Sequence, residues 1–310
     1  MAALFMLAPM AELSHRALRE LIEDFGGCDR YFTEMISAGA LLAKGPFEAW
    51  YLDAGPCPDR VVYQLMGADA DQIARAAALL NRYECAGVDL NMGCSAPAIT
   101  RTGAGVRWMA SIDRAGALVQ MVRARTAHRL SVKLRIGMED DLDYLIRFCR
   151  RLEDEGVEFI TLHPRTAREK FKRWARWEYV AALRAALRIP VAGNGDIISA
   201  EELARRAEGP WDAVMAGRGA VRRPWLFAEA RNGVSGAPAI EETGCRFLEL
   251  LARYQPPEFH CSRARRFFSY FCDNLTWGTY LKTLLNRETG LAGMERVWRE
   301  YFRGAGAETR

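Results

Sequence analysis

Short apolar runs alternate with alanine-rich segments of helical periodicity along most of this chain. Eight runs predict buried strands: Leu4–Ala8, Tyr31–Glu34, Val61–Met66, Val88–Asn91, Ser131–Arg135, Phe159–His163, Val191–Asn194 and Ala213–Ala216. Segments between them predict helices: Asp71–Arg82, Ile112–Ala127, Asp141–Glu155, Tyr179–Leu187 and Ala200–Ala207. Eight strands alternating with helices over about 230 residues predict an α/β fold, a (β/α)8 TIM barrel. The alternative, an open doubly wound sheet, is disfavoured because no Gly-x-Gly-x-x-Gly follows the first strand.

The alternation ends after the eighth predicted strand. The segment Asn232–Pro238 is rich in turn-forming residues and predicts a linker. Four helical segments follow without an intervening strand: Thr243–Tyr254, Ser262–Asn274, Trp277–Glu288 and Met294–Phe302. We therefore expect two domains, a barrel over residues 1–235 and a small all-helical domain over residues 236–310.

Polar residues follow the C-terminal ends of the predicted strands. They are Glu34, Gln64, Asn91, Lys133, Arg135, His163, Asn194, Asp196 and Arg218, together with Pro9 and Met10 after the first strand. A barrel gathers these ends at one rim, which is where barrel active sites form. Because buried polar groups destabilise a fold unless they are paired, such a ring favours a binding site over a purely structural role.

Two glycine-rich loops follow the seventh and eighth predicted strands. They are Gly193-Asn194-Gly195-Asp196 and Gly217-Arg218-Gly219. Barrels often bind phosphate at this position, where glycine allows close backbone approach and an arginine donates charge-assisted hydrogen bonds. Two tight turns with an exposed arginine are the alternative, and we favour the phosphate site. Lys133 and His163 could hydrogen-bond the polar edge of a flavin ring, although His163 could equally be a structural rim histidine.

Cys94 follows an apolar run that ends in Asn91, and the glycine-rich turn Gly103-Ala104-Gly105 comes after it. This context predicts a catalytic thiol on a loop at the C-terminal end of a strand. The other seven cysteines are Cys28, Cys57, Cys85, Cys149, Cys245, Cys261 and Cys272. None of the eight forms a Cys-x-x-Cys pair or a zinc-ligand spacing, so we expect no metal.

Composition and charge add little to the functional argument. The net charge of +4 permits an RNA partner without requiring one. The apolar stretch Met1–Met10 lacks a basic flank and is too short for a signal peptide or a membrane span. We expect a monomer without membrane contact, located in the reducing cytoplasm.

Taken together, these segments resemble the tRNA-dihydrouridine synthases. The matching segments are Ala8-Pro9-Met10, Gln64-Leu65-Met66-Gly67, Gly87–Cys94, Gly103-Ala104-Gly105, Ser131–Gly137, His163-Pro164-Arg165-Thr166, Gly193–Ile197 and Gly217–Ala220. They cover the whole predicted barrel in order. The helical tail matches more loosely, through its position, its size and the stretch Arg263–Phe268.

The resemblance implies an enzyme that uses FMN to reduce specific uridines in tRNA to 5,6-dihydrouridine, with NADPH reducing the flavin. Hydride would pass from flavin N5 to uracil C6, and Cys94 would donate the proton to C5 as a general acid. It implies that FMN is held by Pro9, Met10, Gln64, Lys133, His163, Asn194, Gly195, Asp196, Gly217 and Arg218. Asn91 and Arg135 would orient the base. The RNA would contact the basic and aromatic loop after His163, through Arg165, Lys172 and Arg173, and the tail, through Arg263, Arg265 and Arg266.

The catalytic loop departs from the family pattern. Ser95 replaces a proline, Ala98 replaces a lysine, and Val106–Met109 is bulkier than usual. Because proline would fix the backbone, Ser95 predicts a more mobile Cys94. Three alternatives stay open: a slow or retargeted enzyme, an FMN barrel that acts on a small molecule, and a non-catalytic RNA-binding relative.

Overall fold

A computed structural model describes residues 3–233 and 239–304, and it confirms the predicted barrel. Eight parallel strands close in chain order, β1 pairing with both β2 and β8. The strands are β1 (Leu4–Leu7), β2 (Arg30–Ser37), β3 (Val61–Met66), β4 (Gly87–Met92), β5 (Leu130–Gly137), β6 (Phe159–Thr166), β7 (Val191–Asn194) and β8 (Ala213–Ala216). The predicted bounds of β3, β7 and β8 are confirmed to the residue.

Helices surround the barrel and form the tail. Those of the barrel are α1 (Arg16–Glu23), α2 (Ala38–Leu42), α3 (Glu48–Tyr51), α4 (Ala70–Leu80), α5 (Pro97–Thr100), α6 (Ile112–Arg123), α7 (Leu142–Asp154), α8 (Trp177–Ala186), α9 (Ala200–Ala207), α10 (Arg218–Arg222) and α11 (Leu226–Asn232). Those of the tail are α12 (Ile240–Tyr254), α13 (Pro257–Phe271), α14 (Gly278–Arg287) and α15 (Leu291–Gly304). Short 3-10 turns lie at Pro58–Arg60, Gly105–Ala110 and Cys272–Asn274.

Side-chain caps explain where several helices begin. Asp69, Ser111, Asp141 and Ser199 each accept a hydrogen bond from the backbone N–H three residues on, at the starts of α4, α6, α7 and α9. A short polar side chain satisfies an amide that the first turn leaves without a partner. These caps fix the ends of the helices that follow β3, β4, β5 and β7, and thereby the loops at the barrel rim.

The strands β5 and β6 extend beyond their predicted ends. The register of their pairing shifts between Arg135 and Gly137, and β6 continues through Pro164 to Thr166. Pairing resumes between Gly137 and Thr166 after this irregularity, and the polar residues Arg165 and Thr166 concealed the continuation of β6. As a consequence Arg165 belongs to a strand. Since alternate residues of a strand point the same way, Arg165 shares the inward side with His163.

Two apolar clusters build the interior. A small one of Met6, Ala8, Phe32, Val62, Ala192, Ala213 and Met215 fills the barrel itself. A large one lies between the strands and the surrounding helices and continues into the tail. There Phe247 stacks on Phe267 with ring centroids 3.7 Å apart, and Trp298 packs on Phe268 at 4.8 Å. Aromatic burial of this kind contributes much of the energy that holds α12, α13 and α15 together.

A buried ion pair joins the tail to the barrel. Arg263 on α13 and Glu34 on β2 are 3.0 Å apart, with side chains 3% and 4% exposed. Glu34 also accepts a hydrogen bond from the backbone N–H of Glu12. Burial raises the pKa of Glu34, and the charge of Arg263 opposes that shift. The carboxylate of Glu34 therefore links strand β2 of the barrel to helix α13 of the tail.

The predicted linker lies mostly outside the described residues, as does the predicted boundary between residues 235 and 236. The division into two domains stays a prediction. Among residues 3–233 and 239–304, no helix combines the length and the apolar character needed to cross a membrane. All eight cysteines lie in these ranges, and none of them forms a disulfide.

Candidate active site

A cavity of about 570 Å³ opens at the C-terminal ends of the strands, within the size range of small-molecule and cofactor sites. Its wall contains most of the residues that the sequence singled out. They are Pro9, Met10, Asn91, Cys94, Lys133, Arg135, His163, Arg165, Asn194, Gly195, Asp196, Gly217, Arg218 and Arg266. Since every strand ends at this rim, residues far apart in sequence meet in one site.

Five predicted site residues lie elsewhere. Gln64 is fully buried beneath the cavity, where its amide bonds to Asp89 and Asn91. Arg263 is buried in its pair with Glu34, which corrects its predicted placement on an RNA-facing surface. Arg265 donates to the backbone oxygen of Glu288. Lys172 and Arg173 are exposed on the loop between β6 and α8 without lining the cavity.

The cavity is also lined by residues that the sequence did not single out as site residues. Tyr270 reaches it from α13, one helical turn after Arg266, and the spacing of four residues was the available signal. Phe171 and Lys170 reach it from the loop after β6. Both lie in the basic and aromatic stretch for which the sequence predicts contacts with RNA.

Hydrogen bonds on both sides fix the backbone of Cys94. Its N–H and that of Gly93 donate to Asn91 Oδ1, at 3.0 and 3.2 Å. Its carbonyl oxygen accepts from the N–H of Val106 at 3.0 Å. A Cβ on Gly105, whose φ is +62°, would lie 2.4 Å from that oxygen, so only glycine allows this approach. The backbone of Cys94 is thus held without a proline at residue 95.

Arg135 ties the Cys94 loop to the loop after β6. Its Nε donates to the carbonyl of Gly93 at 3.1 Å, and its Nη1 donates to the carbonyls of Thr166 and Lys170 at 3.2 Å each. Burial, reinforced by the charge of Arg165, lowers the pKa of Arg135 to about 10. The guanidinium therefore stays charged near neutral pH while it organises both loops.

Charged side chains line the opposite side of the cavity, at the ends of β6 and β7. Arg165 Nη2, which is buried, pairs with the half-buried Asp196 Oδ1 at 2.5 Å, and Asp196 Oδ2 accepts from the N–H of Ala175. Asp196 adopts a φ of +58°, which aspartate tolerates better than most residues. This pair locks the β7 loop against β6.

Burial and neighbouring cations decide the protonation of two central groups. Burial, with help from Arg135, lowers the pKa of Lys133 to about 8. Burial and the charges of Arg135, Lys133, Arg165 and Arg218 hold the pKa of His163 well below its usual value, so its ring is neutral. Because Arg165 Nη1 lies 2.9 Å from His163 Nε2 and can only donate, Nε2 accepts and Nδ1 carries the proton.

The β8 loop offers a place for an anion. Arg218 forms no ion pair within the described residues, and its guanidinium lies 4.3 Å above the ring of Phe171. A Cβ on Gly217 would lie 3.3 Å from Met10 Sδ, so the loop runs close to the end of β1. An unpaired arginine beside a tightly held glycine loop fits the phosphate of a cofactor, and the neighbouring Lys133 and His163 N–H fit the polar edge of a flavin.

Comparison with known proteins agrees with this arrangement. The profile of the family described as Dihydrouridine synthase (Dus) matches residues 6–277. A tRNA-dihydrouridine(16) synthase of Ralstonia nicotianae is 31% identical over 249 residues, covering 76% of this chain and 75% of that protein. A probable tRNA-dihydrouridine synthase of Aquifex aeolicus is 31% identical over 267 residues, covering 84% of each.

Among solved structures, a complex of 2-naphthoyl-CoA reductase superposes with a TM-score of 0.59. Its sequence identity is 10%, and the match covers 74% of this chain and 50% of that chain. At this identity the likeness shows the shared fold alone.

Proposed function

This chain belongs to the dihydrouridine synthase family, and we propose that it reduces specific uridines in tRNA to 5,6-dihydrouridine, with FMN as its cofactor and NADPH as its reductant. One observation carries the proposal beyond the family. The Cys94 thiol and the cationic loop of Arg218 belong to the same cavity, at the ends of β4 and β8. In a closed barrel of eight strands these two ends face each other across the mouth.

FMN would be held on the charged side of the cavity. Arg218, Gly217, Asn194 and Gly195 would contact its phosphate and ribityl chain, and Lys133 and His163 would contact the ring. The residues fit this group because Arg218 is unpaired among the described residues and His163 presents an N–H from a neutral ring. When bound, FMN supplies the hydride that saturates uracil C6, and NADPH restores the reduced cofactor.

Cys94 would complete the reduction as a general acid. Its thiol donates a proton to uracil C5, so that hydride and proton together convert the C5–C6 double bond to a single bond. The two hydrogen bonds on its backbone keep the thiol in the cavity wall during this transfer. Asn91 lines the same wall, and within the described contacts the second hydrogen of its amide remains for the base.

The target uridine must leave the RNA stack to enter this cavity, which costs a few kcal/mol. Contacts outside the cavity would supply that energy. Arg266 and Tyr270 lie at the mouth, and Lys172, Arg173 and Trp174 lie on the loop between β6 and α8, with Trp174 80% exposed. Cations bind phosphates and aromatic rings stack on bases, so both surfaces suit single-stranded RNA. The eight unpaired cysteines suit the reducing cytoplasm, where we place the enzyme.

The test is a reconstituted reaction. Purified protein with FMN, NADPH and unmodified tRNA is expected to form dihydrouridine, measured by mass spectrometry of the digested RNA. Cys94→Ala is expected to keep the flavin absorption spectrum and to lose about a hundredfold or more of the turnover.

Two results would contradict the proposal. NADPH oxidation by a small enone, with tRNA left unmodified, would identify a small-molecule reductase. A protein that binds tRNA but retains no flavin would be a binding module. Unchanged turnover in Cys94→Ala would remove the general acid while leaving the reaction itself in place.

A further inference from the structure

A continuous chain of side-chain hydrogen bonds runs from the barrel interior to the Cys94 loop. Gln64 Nε2 donates to Asp89 Oδ2 at 2.7 Å, and Asn91 Nδ2 donates to Gln64 Oε1 at 2.8 Å. Asn91 Oδ1 then accepts from the backbone N–H groups of Gly93 and Cys94. We name the three side chains Asp89, Gln64 and Asn91 the amide relay.

The strand geometry creates this relay. Asp89 and Asn91 are two residues apart on β4 and therefore point to the same side. Gln64 on β3 pairs in register with Asp89, which brings its side chain between the two. All three side chains are buried, and Asp89 and Gln64 do not line the cavity. Asp89 thus acts on the loop only through its neighbours.

Donor and acceptor roles have one consistent assignment along the relay. An ionised Asp89 can only accept, so Gln64 must present its NH2 group to it and its oxygen to Asn91. Asn91 must then present its NH2 group to Gln64 and its oxygen to the loop. Reversal of Asn91 would bring its NH2 group against two backbone N–H groups, leaving buried donors unsatisfied.

The burial of the Asp89 carboxyl group indicates a role beyond packing the barrel interior. Ser131 Oγ donates to its other oxygen at 2.6 Å, and no arginine or lysine is paired with it in the described structure. Burial raises the pKa of Asp89 to about 6, opposed by its hydrogen bonds from Ser131 and Gln64 and by the charge of Lys133. An apolar side chain would fill the same space without the cost of a buried carboxyl group.

We propose that Asp89 and Gln64 are positioning residues for Cys94, holding Asn91 in the one orientation that anchors the loop of the thiol. The consequence for uridine reduction rests on the proposed function. The consequence for the loop does not, because the anchoring exists without RNA. The anchoring of the loop and the proposed uridine reduction can therefore be disproved separately.

The first experiment breaks the relay at its centre. Methionine in Gln64→Met has a similar size, but it cannot donate a hydrogen bond and its sulfur accepts only weakly. The rate of Cys94 alkylation by iodoacetamide is measured on the purified flavoprotein without RNA, by mass spectrometry of the Cys94 peptide. We expect alkylation about fivefold faster than in the protein that retains Gln64. This is the change expected when one hydrogen bond no longer opposes opening of the Cys94 loop.

With tRNA present, the same variant should show a fall in kcat of about tenfold or more and a KM within about twofold of its original value. The matched control is Thr161→Val, since Thr161 is also buried on a barrel strand and its hydroxyl has no partner in the described structure. Thr161→Val should change neither quantity. Equal effects of the two variants would overturn the proposal, because they would indicate a general disturbance of the interior.

The second experiment moves the carboxylate along the relay. In Asn91→Asp, two carboxylates compete for the single NH2 group of Gln64, so the loop should loosen and alkylation should accelerate. In Asp89→Asn/Asn91→Asp, the amide introduced at position 89 can donate to Gln64. Gln64 can in turn donate to the carboxylate introduced at position 91, whose other oxygen still accepts from Gly93 and Cys94. Alkylation should return to within about twofold of its original rate. A difference of that size is usual between variants that keep the same interactions.

Asp89→Asn should therefore restore the loop in the Asn91→Asp background. The charged neighbours on β5, Lys133 and Arg135, are the same in all variants, so they do not produce this difference. Restoration must also disappear when Gln64→Met is added. If the double variant alkylates as fast as Asn91→Asp, or if restoration persists without Gln64, the relay does not position Cys94. If Asn91→Asp does not fold but the double variant does, the proposal is supported; if neither folds and Gln64→Met behaves normally, it is overturned.

Discussion

The two sides of the cavity hold their groups by different forces. On the side of β4, directional hydrogen bonds with the Asn91 amide and with backbone groups place the loop of Cys94, and Arg135 adds one to the carbonyl of Gly93. On the side of β5 to β8, charge holds the groups in place, through Lys133, Arg165, Asp196 and Arg218. A proton donor must lie within hydrogen-bond reach of its target, whereas the attraction of an anion falls off slowly with distance. Directional hydrogen bonds therefore suit the side that would donate a proton, and charge suits the side that would bind an anion.

The largest effect should come from breaking the buried charge pair. Asp196→Asn leaves the Arg165 guanidinium without a counter-charge in a buried site, and asparagine still accepts the φ of +58°. We expect a loss of about 3 kcal/mol in the free energy of unfolding, measured in urea. A loss below about 0.5 kcal/mol, the usual effect of a surface substitution, would show that charge does not hold this side.

The next effect concerns cofactor affinity. Arg218→Ala removes the unpaired guanidinium of the β8 loop and should weaken FMN binding by about ten- to a hundredfold, the worth of one or two charge-assisted hydrogen bonds. Fluorescence quenching of FMN on titration with the flavin-depleted protein measures it. Arg222→Ala is the matched control, since Arg222 lies on the same short helix α10 outside the cavity wall. Equal weakening in both variants would remove the assignment of Arg218.

The charged side should also respond to pH. The pKa of Lys133 is lowered from 10.5 to about 8, so the ammonium is present below pH 8 and is lost as the pH rises through that value. Attraction of the FMN phosphate, whose second pKa is about 6, should therefore be constant between about pH 6.5 and pH 7 and decline above about pH 8, by up to about tenfold. Lys133→Met should bind FMN more weakly and lack this step. A step that persists in Lys133→Met would belong to another group.

The smallest effect should come from Ser95→Pro. If hydrogen bonds to Asn91 and Val106 hold Cys94, stiffening the next residue adds little, and the alkylation rate of Cys94 should change by less than about twofold. A much larger drop would show that the loop is mobile without the proline, as the departure of Ser95 from the family pattern predicted. Ser95→Ala distinguishes the effect of the ring from the loss of the hydroxyl.

Much of the barrel could be predicted because its signals are local. The runs Val61–Met66, Val191–Asn194 and Ala213–Ala216 are mainly apolar, with Gln64 and Asn194 as their polar members, and they form strands with those bounds. The strand β6 was predicted too short because the polar residues Arg165 and Thr166 continue it. Its pairing with β5, which keeps Arg165 in a strand, cannot be read from either segment alone. Local polarity therefore located the strands but missed how far their pairing extends.

The sequence could predict which residues line the candidate site, but not which side chains pair with one another. Chain order and strand ends sufficed to bring Cys94, Lys133, His163 and Arg218 into one cavity, because parallel strands in a barrel share a rim. The resemblance of the tail placed Arg263 on an RNA-facing surface, whereas its partner Glu34 lies 229 positions earlier in the chain. An ion pair of that separation has no signature in either segment.

The sequence by itself determined the order of strands and helices, the rim on which chemistry is placed and the thiol at the end of β4, since periodicity and strand polarity are properties of neighbouring residues. The tertiary structure alone decided that Gln64 lies beneath the cavity and links Asp89 to Asn91. That link depends on the register between two strands that are 25 residues apart at their bonded positions. Hydrogen-bond direction and burial are fixed by the surroundings of a side chain, and those exist only when the barrel has closed.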